Sequence, residues 1–263
     1  MLSQHIGRAE NSAAADFNRL GFVVLRQAIP ERAQSDLLIV VRDMIASRAE
    51  ATGLTDRIGP APTDVVEFFA HYLPAVDRLD HSIIKLAYDS CFDTIAGRCL
   101  FSNTEIIGMC AELLGCDPRR LYLNSNRLRI DPPGPAPFRL GWHQESAYGA
   151  SRSPGVQYWG PLLWPSNWEN GSIEIAVGSH RLGYITDLKI EQRAVGAQQY
   201  LVPEEILRRF PAELIEIGPG DVVVFSCHLV HRSSDPSRQT RMKYSVTGRF
   251  TDAASSLFSP YSA

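Results

Sequence analysis

The chain changes periodicity near residue 120, and that change limits what it can fold into. Before it, apolar residues recur at helical spacing: Ser12 to Leu20, then Pro30 to Ala51, where Pro30 suits a first helical turn and Leu37, Leu38, Val41 and Ile45 line one face. Further helices are expected over Asp64 to Tyr72, Val76 to Arg98, and Asn103 to Leu114, where Gly115 reads as a stop. Gly21 to Arg26 reads as a short strand and Gly53 to Thr63 as a loop. After it, short β-rich runs alternate with turn signals: Leu121–Leu123, Asn126–Ile130, Val156–Trp164, Gly171–Ala176, Glu213–Ile217, Asp221–Ser226 and Lys243–Phe250. Many short strands after a helical start imply a mainly β sandwich or jelly-roll barrel with helices packed outside. Asp187 to Pro211 is a polar interlude, expected to be partly helical and to lie over a barrel mouth. The expectation is a single domain over residues 1–263: a mostly helical part to 120, a barrel core over 121–250 and a tail over 251–263.

Composition removes other classes. With 44% hydrophobic and 21% charged residues in 263, the chain has the make-up of an ordinary globular protein. A net charge of −3 gives no basic footprint for nucleic acid. No apolar run reaches the roughly 18 residues of a membrane span, and the start lacks a secretory apolar stretch. The five cysteines carry no C-x-x-C spacing, so reduced thiols and the cytoplasm are expected.

The chemistry-bearing residues lie in the β part. His143-Gln-Glu145 places an imidazole and a carboxylate two residues apart, on one face if the segment is a strand. Seven histidines and 29 acidic residues would give about 0.8 such triplets by chance, so the triplet needs context. A second imidazole would complete a set of two histidines and one carboxylate, which suits iron(II) and leaves one face of the ion open. Both His228 and His231 are available for that place. Arg241 follows ten residues after His231, and a guanidinium fork matches the far carboxylate of a 2-oxo acid.

In its order of motifs the chain resembles the phytanoyl-CoA dioxygenase family over most of residues 120–250. The resemblance rests on His143-Gln144-Glu145; on Glu169-Asn170-Gly171 followed by Val177-Gly178-Ser179-His180; on Gly220-Asp221 before a hydrophobic strand; and on His231-Arg-Ser233 followed by Arg241. It implies a double-stranded β-helix, with His143, Glu145 and His231 as iron ligands and Arg241 on the distal carboxylate of 2-oxoglutarate. The family register selects His231 over His228. It also makes Arg129, which precedes Pro132-Pro133-Gly134, and Ser233 candidates for holding the cosubstrate. Two departures stand out: Glu145 occupies a position that usually holds Asp, and the His-to-Arg spacing is ten where eleven is usual.

The activity implied is that of an iron(II)- and 2-oxoglutarate-dependent dioxygenase. It would consume dioxygen, release succinate and carbon dioxide, and hydroxylate an aliphatic C–H of a small-molecule metabolite. Two other classes stay open on residues alone: a non-catalytic metal- or ligand-binding barrel, and an oxygen-independent cupin-like metalloenzyme. His180 is expected to be structural, and Tyr148, Tyr158 and Trp159 to be cavity or core residues. The loops Gly53–Thr63, Gly149–Gly155 and Asp187–Pro211 are expected to frame the mouth.

Overall fold

The computed structural model describes residues 13–134, 139–148, 154–192 and 198–258. Its strands are β1 (Phe22–Leu25), β2 (Leu121–Asp131), β3 (Gly155–Pro161), β4 (Ile173–Ala176), β5 (Lys189–Gln192), β6 (Gln198–Leu201), β7 (Ala212–Leu214), β8 (Val222–Ser226), β9 (His231–Ser233) and β10 (Lys243–Asp252). A five-stranded sheet runs β1-β8-β3-β10-β2, a three-stranded sheet runs β7-β4-β9, and β5 pairs with β6 as a hairpin. Every pairing is antiparallel. The two larger sheets contribute side chains to one pocket between them, which makes the fold a jelly roll with helices packed outside.

Strand alternation decides which side chains reach that pocket, because successive residues point to opposite faces. On β10 the even-numbered Tyr244, Val246 and Phe250 turn outward into the main hydrophobic core. The odd-numbered Lys243, Thr247 and Arg249 line the pocket. β2 repeats the rule, with Leu128 and Ile130 outward and Arg127 and Arg129 toward the pocket. β3 sends Val156 and Tyr158 outward and Gln157 and Trp159 inward.

The outward face is covered by the N-terminal helices, with Leu37, Val41, Phe68, Phe69, Leu73 and Val76 fully or almost fully buried against it. Each such side chain contributes roughly 1.5–3 kcal/mol on burial. Helix Ala13–Leu20 falls within the expected Ser12–Leu20 segment, of which Ser12 lies outside the described residues. Helix Glu31–Ala51 follows Pro30, and helix Thr104–Leu114 ends at Gly115 in the left-handed conformation.

The helix expected over Val76–Arg98 is instead three pieces: Leu73–Leu79, His81–Ser90 and Ile95–Phe101. Asp80, in extended conformation, accepts from the Ser82 amide, and Thr94 accepts from the Gly97 amide, so each starts a new helix. The Asp187–Pro211 interlude holds the β5–β6 hairpin and one helical turn, Glu204–Leu207. Most of the expected mouth loop at 149–155 lies outside the described residues. No described helix is long and apolar enough to cross a membrane.

Candidate metal centre

His143 lies in no strand. It forms an isolated antiparallel bridge with His231 at the start of β9. The two backbones exchange hydrogen bonds: His143 N donates to His231 O at 2.9 Å, and His231 N donates to His143 O at 3.0 Å. Gln144 locks the segment. Its side-chain nitrogen donates to Gly183 O at 2.8 Å and to His228 O at 2.6 Å, and its oxygen accepts from Ile185 N at 2.9 Å. Glu145 then opens a short 3-10 turn, Glu145–Ala147, rather than continuing an extended strand.

This backbone brings His143, Glu145 and His231 together, all buried, with one donor atom of each within 4.8 Å of the others. Glu145 Oε2 is 3.8 Å from His143 Nε2 and 3.6 Å from His231 Nε2. His143 Nδ1 bonds Gly141 O at 2.7 Å and His231 Nδ1 bonds Leu229 O at 2.9 Å. Each Nδ1 therefore carries the proton, and each Nε2 offers its lone pair to the cluster. His143 Nε2 is buried without a hydrogen-bond partner. A buried nitrogen left in that state is costly unless a ligand satisfies it.

Electrostatics favour the same use. Burial, and the neighbouring His231, lower the His143 imidazole below its ordinary value and keep it neutral. Burial alone would raise the Glu145 carboxyl, but Arg249 and then the two imidazoles outweigh it and hold the group well below the usual carboxylate range. Two imidazoles with their Nδ1 atoms turned to backbone carbonyls, and one carboxylate, are a donor set that fits iron(II) on one face of an octahedron.

The pocket around the cluster also holds Arg127, Arg129, Gln157, Trp159, Phe225, Ser233, Lys243 and Arg249. Arg129 grips Asp131 with two nitrogens, at 2.9 and 3.2 Å, and Lys243 Nζ lies 3.0 Å from the same carboxylate. Ser233 Oγ accepts from Leu140 N at 3.3 Å. Among the expected site residues, His143, Glu145, His231, Arg129 and Ser233 thus share one pocket.

Arg241, the expected cosubstrate clamp, does not share that pocket. Its exposed guanidinium lies 5.6 Å from the Trp164 ring, beside a separate cavity of about 610 Å³ bounded by Phe69, Pro74, Pro132 and Met242. The cause is local. Gln239 Nε2 donates to Arg241 O at 2.6 Å and to Asp131 O at 2.9 Å, and Thr240 N donates to Glu169 O at 2.9 Å. These bonds hold the chain in a turn, so inward alternation begins only with β10 at Lys243.

His228 also stays outside the pocket, with Nδ1 3.1 Å from Ser146 Oγ. The strand that could have carried both histidines ends at Ser226, and a turn separates it from β9. His180 packs beside Gly21, where a Cβ would come within 2.5 Å of the ring. Its Nε2 bonds Asn18 O at 3.1 Å, so its role is to seat the first helix. Trp159 faces the pocket, Tyr158 is core, and Tyr148 stands edge-on to His143 with ring centres 5.4 Å apart.

A jelly roll that gathers two histidines and a carboxylate between its sheets has the architecture of the non-haem oxygenases. The family profile described as phytanoyl-CoA dioxygenase matches residues 91–242, more than half of the chain, and the protein belongs to that family of iron(II)- and 2-oxoglutarate-dependent oxygenases. No curated protein sequence matches it. Among solved structures, the fold is similar to the SnoN epimerase in complex with Fe3+, alpha ketoglutarate and nogalamycin RO, at 18% identity and a TM-score of 0.56, covering 94% of this chain and 85% of that one. It is similar to EvdO2 from Micromonospora carbonacea var. aurantiaca complexed with 2-oxoglutarate, at 16% identity and a TM-score of 0.55, covering 94% and 93%. It is also similar to ThoJ, a non-heme monooxygenase in its apo form, at 19% identity and a TM-score of 0.55, covering 92% and 77%.

Proposed function

We propose that this protein hydroxylates an aliphatic C–H of a small-molecule metabolite, consuming dioxygen and 2-oxoglutarate and releasing succinate and carbon dioxide. One observation carries the reading: the only His/Cys/Asp/Glu cluster of metal-holding geometry among the described residues is buried, is oriented by backbone carbonyls, and sits in a pocket rich in cations. The reported complexes of SnoN with Fe3+ and alpha ketoglutarate, and of EvdO2 with 2-oxoglutarate, support it.

His143, Glu145 and His231 would hold iron(II), which when bound supplies the activation of dioxygen. Gly141 O and Leu229 O aim the two Nε2 atoms. Arg129 and Lys243, gathered on Asp131, present positive charge to the distal carboxylate of 2-oxoglutarate, with Ser233 offering a hydroxyl. Lys243 thereby takes the clamp role that residue counting assigns to Arg241. Trp159, Ile173 and Phe225 give the pocket an apolar wall that excludes water from the reacting centre. The five cysteines are all unpaired, which supports a reducing, cytoplasmic setting.

The test is an anaerobic iron(II) titration with and without 2-oxoglutarate. A visible charge-transfer band is expected only with both present, and it should vanish in His143→Ala and His231→Ala. A wild-type protein that binds iron yet gives no band with 2-oxoglutarate overturns the reading and leaves a metal-binding barrel.

A further inference from the structure

We infer that Arg249 is a positioning residue that ties back one oxygen of Glu145, so that Glu145 meets the metal through its other oxygen alone and the open face stays free for 2-oxoglutarate; the inference rests on the metal site proposed above. The two carboxylate oxygens have separate partners. Oε2 faces the imidazoles, 3.8 Å from His143 Nε2 and 3.6 Å from His231 Nε2. Oε1 is in an ion pair with a terminal nitrogen of Arg249. Arg249 reaches the site because the odd-numbered face of β10 lines the pocket, and its neighbour across the ladder is Gln157 on β3. Gln157 is itself buried, and its Oε1 has no hydrogen-bond partner. It offers the guanidinium no anion.

Glutamate needs such a tether. Its side chain has three rotatable bonds, and a carboxylate can bind an ion through one oxygen or through both. Chelation by both would pull Oε1 off Arg249. That would leave a guanidinium in a mostly buried pocket, beside a dication and without its counter-charge, which is unfavourable. The other pocket carboxylate cannot compensate, because Asp131 is already held by Arg129 and Lys243. Holding Glu145 to one oxygen keeps about three of six positions open on an octahedral ion, enough for a two-point chelate and dioxygen.

The experiment uses Mn(II) as the probe, in the full-length wild-type protein and in Arg249→Gln and Arg249→Lys. Water-proton relaxation reports the exchangeable waters on the bound ion, and equilibrium titration reports 2-oxoglutarate affinity for the Mn(II)-loaded protein. In Arg249→Gln, Glu145 should chelate through both oxygens. Coordinated waters should fall from about three to about two, lowering relaxivity by about one third, while Mn(II) affinity holds or rises. Affinity for 2-oxoglutarate should fall about 10-fold or more. Arg249→Lys keeps a cation on Oε1 and should restore most of the wild-type relaxivity. If the glutamine variant does not melt as a folded protein, Arg249→Ala carries the same measurement with the same expected fall in relaxivity, and unchanged relaxivity there overturns the inference.

Unchanged relaxivity in both variants, measured without 2-oxoglutarate, overturns the inference even if cosubstrate binding drops, because Arg249 would then act on the cosubstrate directly. A drop in melting temperature with relaxivity and cosubstrate affinity intact makes it merely structural and also overturns it. Failure of the wild-type protein to bind Mn(II), or to bind 2-oxoglutarate when loaded, is a separate result that removes the functional reading itself.

Discussion

Asp131 sits at the inner end of β2 with Arg129 and Lys243 both against its carboxylate, and all three side chains are largely removed from water. Burial alone would raise its carboxyl, but Arg129 and then Lys243 outweigh burial and hold it well below the usual range. A carboxyl depressed by folding stabilises the native state above its unfolded value of about 3.9, and loses that effect as pH falls through the folded value. Asp131→Asn should therefore lower the unfolding free energy by about 3–5 kcal/mol at pH 7, because two buried cations lose their counter-charge. Urea titrations should show the gap to wild type narrowing below about pH 4, and a gap that stays constant to pH 3 would contradict the pairing. The cluster of His143, Glu145 and His231 is legible in the sequence because His143-Gln-Glu145 and His231 are close-set motifs in family order. Arg241 lies outside the pocket because the strand begins only at Lys243, a start that Gln239 delays and that counting from His231 does not show. Lys243 and Arg249 were legible in principle: Lys-Tyr-Ser-Val-Thr-Gly-Arg-Phe alternates polar and apolar, and its charged members share a face.

Elements in this chain start and stop on single polar side chains. Asn103 shows the device most fully: its Oδ1 accepts from Glu105 N at 2.9 Å and Ile106 N at 3.1 Å, while its Nδ2 donates to Ala28 O at 2.9 Å. It caps helix Thr104–Leu114 and ties that helix to the segment after β1. Asn103→Ala should cost about 1–2 kcal/mol, seen as a melting temperature lowered by a few degrees with iron and 2-oxoglutarate binding unchanged. The caps also explain what periodicity missed. Apolar spacing runs across Asp80 and Thr94 into Ile83, Ile84, Ala87 and Leu100, so a pattern reader sees one helix where the caps make three. The sequence pattern divides β2 into two pieces because its ladder with β10 slips between Arg249 and Phe250, and the extra residue disturbs the two-residue rhythm. β9 is three residues long and gives no periodic signal at all.

At the scale of the whole molecule, the helices and the large sheet share one core. Phe69 stands edge-on to Tyr244 with ring centres 4.9 Å apart, and the Tyr244 hydroxyl donates to Phe69 O at 2.6 Å. The outward face of the sheet has no other cover among the described residues, so we propose that the chain folds as a single unit. Thermal unfolding followed by far-ultraviolet circular dichroism and by tryptophan fluorescence should give coincident transitions. Helical signal lost well before the tryptophan signal would show that the N-terminal part is a separate body.

The strict inside-outside alternation of β10 has a consequence for how such a gene can drift. A single codon lost from the middle of that strand would shift every later residue by one face, turning Arg249 into the greasy layer and Phe250 toward the pocket. No one substitution could do as much. Codons gained or lost in pairs would keep the faces in phase, so heredity along this stretch is metred in twos: spelling is negotiable there, and parity is not.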